Sequence, residues 1–455
     1  MFSQKNILFI GAGGIGMSAL VRYFLAQGKN VFGYDKTQTA LTEKLSKEGA
    51  QLFFEDQLPN LQKDLVPENT LVIYTPAIPK DSLLLNYVFT NEFKVLKRSE
   101  VLGVITSNHQ NICIAGTHGK TTISSMVAAV LNDAEVPLTA FLGGIANNFA
   151  SNYHHDLESE VTVIEADEYD RSFLKLSPNF AVVTAVDPDH LDIYGTPEDM
   201  VNTFKEFITK NVQPRGVVLI QHDLISKLGD NFITYSIDNL NATYYTKNIE
   251  VVDHTFVADF YGPNICAKQV KIGLPGIHNL ENSLATFGVL AEYGLNSEQI
   301  KQGIQNYSGV ERRFDVKINE PNLVYIDDYA HHPEEITQLI KSVKKLYQGK
   351  KICGIFQPHL FSRTQDFLEG FASALSLLDE LILLDIYPAR ELPIPGVDSN
   401  LLLSKVQKNS KILCSKKNVP SYIMNTECTV VLSIGAGDIG MEVDNYVKTL
   451  QNKLV

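Results

Sequence analysis

Short apolar runs recur along this chain, each followed by a polar turn and then by a stretch where apolar residues return about every three to four positions. Continuous apolar runs suit parallel strands buried on both faces, and the longer period suits amphipathic helices. The alternation predicts an α/β fold with largely parallel sheets. It restarts three times. The first series holds Ile7–Ile10, Val31–Tyr34 and Leu71–Tyr74; the second Ile112–Ala115, Val161–Ile164, Ala181–Val186 and Val217–Ile220; the third Leu323–Ile326, Lys351–Phe356, Leu381–Leu384 and Val430–Ile434. Between 231 and 275, short β-branched and aromatic runs broken by Asp and Asn read as antiparallel hairpins inserted in the middle domain. Polar boundaries give domains at 1–107, 108–309 and 310–455.

Composition narrows the class. A hydrophobic content of 44% with 20% charged residues fits a folded chain, neither disordered nor membrane-embedded. No apolar run approaches a transmembrane length, and Met1–Ile10 lacks the long apolar core of a signal peptide. The five cysteines form no C-x-x-C pair and fit buried thiols in a reducing compartment. A net charge of −13 argues against a broad nucleic-acid surface, yet local amides and a few basic residues still bind phosphate in an acidic protein. The expectation is a soluble, cytoplasmic, multi-domain protein with no membrane and no nucleic-acid partner.

The most specific chemistry lies in the second series. Ile112–Ala115 runs into Gly116-Thr117-His118-Gly119-Lys120-Thr121-Thr122, and a helix-like stretch, Ile123–Leu131, follows. A strand, a glycine turn and a helix N-terminus gather backbone N–H groups around a phosphate. Lys120 adds charge at the outer phosphates and Thr121 a hydroxyl for Mg²⁺. The usual spacing is G-x-x-x-x-G-K-[ST], but the residue five before Gly119 is Ile114, so this loop is two residues short.

A second glycine loop, Gly11-Ala12-Gly13-Gly14-Ile15-Gly16, follows the first strand, and Asp35 ends the next one. That matches a dinucleotide fingerprint with its ribose-binding acid. An NAD-linked oxidoreductase or nucleotide-sensing module is therefore a competing reading. A diphosphate-bearing sugar nucleotide suits the same turn equally well.

Other candidates cluster at strand ends. Val161–Ile164 leads into Glu165-Ala166-Asp167-Glu168, where a carboxylate beside the phosphate loop would meet a hard cation. The run Ala181–Val186 leads to Asp187-Pro188-Asp189-His190, and neighbouring strands would bring Glu165 and His190 together. His278, Asn279 and Asn282 open a helix and could meet a purine, although a helix cap explains one Asn as well. In the third series Arg312-Arg313 could clamp a phosphoryl group. Asp327-Asp328-Tyr329-Ala330-His331-His332 and Phe356-Gln357-Pro358-His359, with Arg363 a turn on, look like a reactive site. The paired histidines have no zinc spacing.

Taken together, Gly13–Ser18, Gly116–Thr121, Glu165–Asp170, Asp189–Asp192, His278-Asn279, Arg312–Phe314, Asp327–Pro333 and Phe356–His359 resemble the ATP-dependent Mur ligases of peptidoglycan synthesis. Their short G-T-x-G-K-[ST] loop matches the one here. The resemblance implies three α/β domains: a Rossmann-like UDP-binding domain, a central P-loop ATPase domain and a C-terminal Rossmann-like domain for an amino acid. It implies ATP, Mg²⁺, UDP-N-acetylmuramate and L-alanine as ligands. Gly11, Gly13, Gly14, Ile15, Gly16 and Asp35 would then serve the UDP-sugar. Gly116, Thr117, His118, Gly119, Lys120, Thr121 and Thr122 would hold ATP, with His278, Asn279 and Asn282 at its adenine. Thr121, Glu165 and His190 would be metal ligands, Arg313 and Asp328 would close over the nucleotide, and Tyr329, His331 and Arg363 would line the amino-acid pocket. Within the family, a ligase that recycles a preformed tripeptide is the near alternative. Leu360 stands where many members carry a further arginine, and Lys205 fits poorly as a carbamylated lysine.

Overall fold

The central strands of the first sheet are mostly apolar and covered, whereas its outer strands carry exposed Gln51 and Lys94. Ile7 and Phe9 of β1 (Asn6–Ile10) pack with Met17, Leu20 and Phe24 of the following helix, whereas Leu8 and Ile10 pack with Leu84, Leu85 and Val88 on the other face. With β2 (Asn30–Tyr34), β3 (Gln51–Phe53), β4 (Thr70–Tyr74) and β5 (Lys94–Lys97) the order is β3-β2-β1-β4-β5, all parallel. The strand order reverses direction at β1, so the crevice for a ligand opens at its carboxyl end, where Gly11 lies. The computed structural model describes residues 2–57, 65–107, 109–188, 191–389, 391–408 and 410–454.

The middle sheet has ten strands: β6 (Gln110–Ala115), β7 (Leu138–Ala146), β8 (Ser151–His155), β9 (Val161–Glu165), β10 (Phe180–Val183), β11 (Val217–Gln221), β12 (Ile233–Ser236), β13 (Tyr244–Val252), β14 (Thr255–Gly262) and β15 (Ile265–Lys271). Their order is β15-β14-β13-β12-β11-β10-β6-β9-β7-β8. The expected hairpins over 231–275 are β13, β14 and β15, which continue the edge of this sheet. Two further expectations need correcting. β9 and β10 are not neighbours, because β6 pairs in parallel with both and separates them. Glu165 and the end of β10 therefore flank the phosphate loop from opposite sides. The strand expected over 181–186 also stops at Val183, since Thr184 and Ala185 leave the ladder to bond the loop backbone.

The third sheet holds β16 (Asp315–Glu320), β17 (Leu323–Asp328), β18 (Ile352–Phe356), β19 (Glu380–Leu383), β20 (Lys411–Leu413) and β21 (Val430–Ile434), in the order β16-β17-β21-β18-β19-β20. Only β16 runs antiparallel to its neighbour. By packing, Met1–Lys247, Asp259–Val270 and Asn282–Ser308 form one unit, and Asn248–Ala258, Lys271–Glu281 and Gly309–Val455 a second. Among the described residues no helix is long and apolar enough to cross a membrane.

Candidate active site

In the first unit two helices begin at glycine. Helix Ile15–Ala26 starts after Gly14 and helix Lys120–Asp133 after Gly119, and neither glycine can supply a side-chain cap. Thr39, Ser82, Thr196 and Asn296, by contrast, cap other helices through their side chains. An uncapped helix start keeps its first N–H groups and its positive dipole end open to an anion.

The phosphate loop is held from both sides. Thr117 N–H donates to the Ala185 carbonyl at 3.0 Å, Thr184 N–H to Ala115 at 3.1 Å, and Asp187 N–H to the Thr117 hydroxyl at 3.2 Å. The Thr184 hydroxyl donates to the His118 carbonyl, and His118 Nε2 lies 3.5 Å from Asp187. Gly116 has φ +131°, and a Cβ there would sit 2.0 Å from the Thr184 hydroxyl. Gly119 takes the left-handed conformation at φ +80°, with the Asn282 side chain against it. Thr121 and Thr122 are buried in the first turn of the helix. Lys120 Nζ reaches back to the Gly116 carbonyl and pairs with Glu168 at 2.8 Å. Burial opposes the lysine's charge, but Glu168, Glu165 and Asp167 outweigh it and hold its pKa above the ordinary lysine value. Burial likewise pushes the Glu168 carboxyl up, against the pull of Lys120.

The acidic turn after β9 sends its carboxylates to different places. Glu168 goes to Lys120, and Asp167 accepts from Arg98 Nη2 at 2.8 Å. Glu165 Oε2 is buried and has no hydrogen-bond partner, pressed against Gly143, where a Cβ would lie 2.1 Å away. A buried carboxylate oxygen without a donor, close to a phosphate loop, suits a hard cation such as Mg²⁺. His190, the other expected metal ligand, lies outside the described residues. No group of three or more His, Cys, Asp or Glu fit to hold a metal occurs among the described residues.

In the first glycine loop most amides are already engaged. Gly11 and Ala12 N–H both donate to the Tyr34 carbonyl, at 2.8 and 2.9 Å, and Gly13 N–H donates to Asp35 at 2.8 Å. Asp35 thus shapes the loop from within, a role beside the ligand contact that the sequence suggests. The open anion site narrows to the helix start at Ile15 and Gly16. Those residues line a cavity of about 220 Å³ with Gly14, Thr75, Arg98, Phe141, Glu165 and Asp167. Arg98 was missed in the sequence. Its signal is a basic Lys97-Arg98 pair at the carboxyl end of β5, the end where the other sites sit.

The second unit gathers the third-domain residues. Asp328 is buried and accepts from the N–H groups of Phe314 and Ala330, both at 2.7 Å; burial raises its carboxyl to about 6 against Arg313. Asp327 takes Arg312 Nε at 3.1 Å and the Ser433 hydroxyl at 2.5 Å. The guanidiniums of Arg312 and Arg313 each lie 5.2 Å from the centre of the Tyr329 ring. His331 Nδ1 is 3.3 Å from Glu335, and burial lowers its pKa to about 4, with Arg363, Arg313 and His359 adding to the shift and Glu335 opposing it. The His331 and His359 rings are 6.2 Å apart. His278 faces Ser342 at 3.3 Å and is lowered to about 4 by burial and Arg313. Asn279 Nδ2 is taken by the Pro275 carbonyl at 2.7 Å, which is the local role the sequence left open. Leu360 starts the helix Phe361–Asp366, which carries Arg363, with φ +69°.

Comparison with known proteins bears on the whole chain. Residues 6–110 match the model of the Mur ligase family catalytic domain, 114–290 the Mur ligase middle domain and 312–435 the Mur ligase glutamate ligase domain. A UDP-N-acetylmuramate–L-alanine ligase of Parabacteroides distasonis is 49% identical over 438 residues, covering 95% of this chain and 94% of that protein. The crystal structure of UDP-N-acetylmuramate–alanine ligase MurC from Thermotoga maritima superposes with a TM-score of 0.82 at 28% identity, over 98% and 99% of the two chains. A murein peptide ligase from Psychrobacter arcticus shares the fold, with a TM-score of 0.72 at 19% identity over 98% and 99%. With two uncapped glycine loops, an acidic strand end beside the shorter one and three matching domain models, the chain belongs to the Mur ligase family.

Proposed function

We infer that this chain is an ATP-dependent ligase that joins L-alanine to the lactyl carboxylate of UDP-N-acetylmuramate, an early step of peptidoglycan synthesis in the cytoplasm. The observation that carries the reading is the 49% identity to a ligase of that name, which spans all three domain models. We divide the work at 1–107 for the UDP-sugar, 108–309 for ATP and 310–455 for the amino acid.

A carboxylate is a poor acyl donor because its leaving group would be oxide. Attack of a lactyl carboxylate oxygen on the γ-phosphorus of ATP gives an acyl phosphate and releases ADP. The neutral amine of alanine then attacks the acyl carbon, and inorganic phosphate leaves from the tetrahedral intermediate. Lys120 and the amides at Gly119–Thr122 meet the charge on the moving phosphoryl group. Thr121 and Glu165 would hold Mg²⁺, with His190 as a third ligand, and the cation would neutralise charge on the phosphate oxygens. Asn282 sits where it can steady the loop, and His278 and Asn279 serve the adenine end. Arg313 and Asp328 close over the nucleotide. Tyr329, His331 and Arg363 form the pocket for alanine, the guanidinium taking its carboxylate. Exclusion of water protects the acyl phosphate from hydrolysis.

The deciding experiment supplies UDP-N-acetylmuramate and ATP with either L-alanine or the tripeptide L-alanyl-γ-D-glutamyl-meso-diaminopimelate, and follows ADP release. Release with L-alanine is expected. Release with the tripeptide alone would make this the recycling ligase, and tight NAD(H) binding without UDP-sugar binding would remove the chain from ligation altogether.

A further inference from the structure

Arg98 stands between the first glycine loop and the acidic turn after β9. It is the first residue of helix Arg98–Thr106, and its side chain is 17% exposed. One face of its guanidinium covers Gly16, closely enough that a Cβ there would lie 2.3 Å from Nη1. Nη2 donates to Asp167 at 2.8 Å. Gly16 belongs to the uncapped helix start of the first loop, and Asp167 lies in the acidic turn between Glu165 and Glu168. All of Gly14, Ile15, Gly16, Arg98, Glu165 and Asp167 line the same cavity.

A guanidinium so placed has two claimants. Asp167 holds it in the absence of ligand. A diphosphate docked on the Ile15–Gly16 amides would bring more negative charge to the same group, in the planar geometry guanidinium favours. We propose that Arg98 is a diphosphate ligand of the sugar-nucleotide site and that Asp167 is its built-in competitor, holding the guanidinium until the nucleotide arrives. This rests on the reading of the first loop as the sugar-nucleotide site.

The competition gives opposite signs to two single substitutions. Calorimetric titration of UDP into the full chain should show Arg98→Ala weakening binding about tenfold or more, the loss typical of a charge-assisted contact. Arg98→Lys should fall between, keeping the charge but losing the fork. Asp167→Asn should tighten UDP binding, because the guanidinium is freed. Uridine, which has no phosphate and is titrated at high concentration, should bind all four proteins alike. Equal losses for uridine and UDP in Arg98→Ala would mean that the residue only supports the fold, and so would weaker UDP binding in Asp167→Asn. Either result overturns the proposal. Should Arg98→Ala fail to fold, Arg98→Lys and Asp167→Asn still decide it by their opposite signs. Wild-type protein that binds no UDP would fail at the earlier step, the assignment of the loop.

Discussion

The two glycine loops of the first unit start from the same local recipe and arrive at different instruments. Both follow a buried parallel strand, and both open a helix that lacks a side-chain cap. In the first, Gly11, Ala12 and Gly13 turn their amides inward to Tyr34 and Asp35, which leaves the helix start with Arg98 beside Gly16 as the surface proposed for the ligand. In the second, the loop is clamped by Thr184, Ala185 and Asp187, and a half-buried lysine points back into it. On the proposed reading, the contrast is between a site that holds a diphosphate and one that must stabilise a phosphoryl group in motion. What separates them is not the glycines but the residues brought in from the neighbouring strand ends.

The largest effect that could break this comparison is Lys120→Ala. Turnover should fall by at least about a thousandfold, while calorimetry should find UDP-sugar affinity unchanged. A collapse of UDP-sugar affinity would show that the loops do not divide the work. A glycine exchange comes next. Gly116→Ala puts a Cβ 2.0 Å from the Thr184 hydroxyl at φ +131°, whereas Gly14→Ala, at φ −66°, meets nothing closer than 3.6 Å. Steady-state kinetics should therefore show Gly116→Ala losing about a hundredfold in kcat and Gly14→Ala staying within about twofold. Equal losses would erase the difference between the loops. A smaller effect is expected for Asp35→Asn. Weakening its bond to Gly13 N–H should raise the UDP-sugar Kd about threefold to tenfold and leave the ATP KM alone. If the ATP KM moves instead, Asp35 acts beyond its own loop.

Acid probes the comparison from outside both loops. His278 and His331 have folded pKa values lowered to about 4 from an ordinary 6.5, so each binds a proton on unfolding in that window. Their contribution to stability is present above 6.5 and is lost as pH falls toward 4. Asp328, raised to about 6 from 3.8, works the other way, its burial being less costly once it is protonated. Among these three groups the two histidines outweigh the one carboxyl and lower Tm between pH 7 and about 5, while Asp327 and Glu168, also raised by burial, act in the carboxyl's direction. His331→Gln should flatten the slope by one proton; an unchanged slope would mean that His331 is not held neutral in the fold.

Much of the architecture was legible because parallel strands buried on both faces leave continuous apolar runs. Ile7–Ile10 and Ile112–Ala115 could belong to little else, and the glycines after them announced where the chain had to turn. Long-range pairings were not legible. Lys120 and Glu168 are 48 positions apart and Arg98 and Asp167 are 69 apart, and no local period encodes such partners. Strand order was equally hidden, which is why Glu165 and His190 were expected on adjacent strands. Asp35 illustrates a third kind of gap. Its position in the fingerprint was clear, but its hold on the loop through the Gly13 N–H is something that spacing cannot express.

The turn at Glu165–Glu168 has a consequence for how this enzyme can vary. Within four residues it serves a prospective cation with Glu165, a guanidinium with Asp167 and an ammonium with Glu168, each in a different direction. Exchanging one of these side chains disturbs one connection. Adding or deleting a residue would rotate all of them at once and hand each carboxylate to the wrong recipient. Sequence drift along this stretch is therefore free in chemistry to a degree but fixed in length, and laboratory libraries that keep its length should yield separable defects in metal, sugar-nucleotide and ATP handling from neighbouring positions.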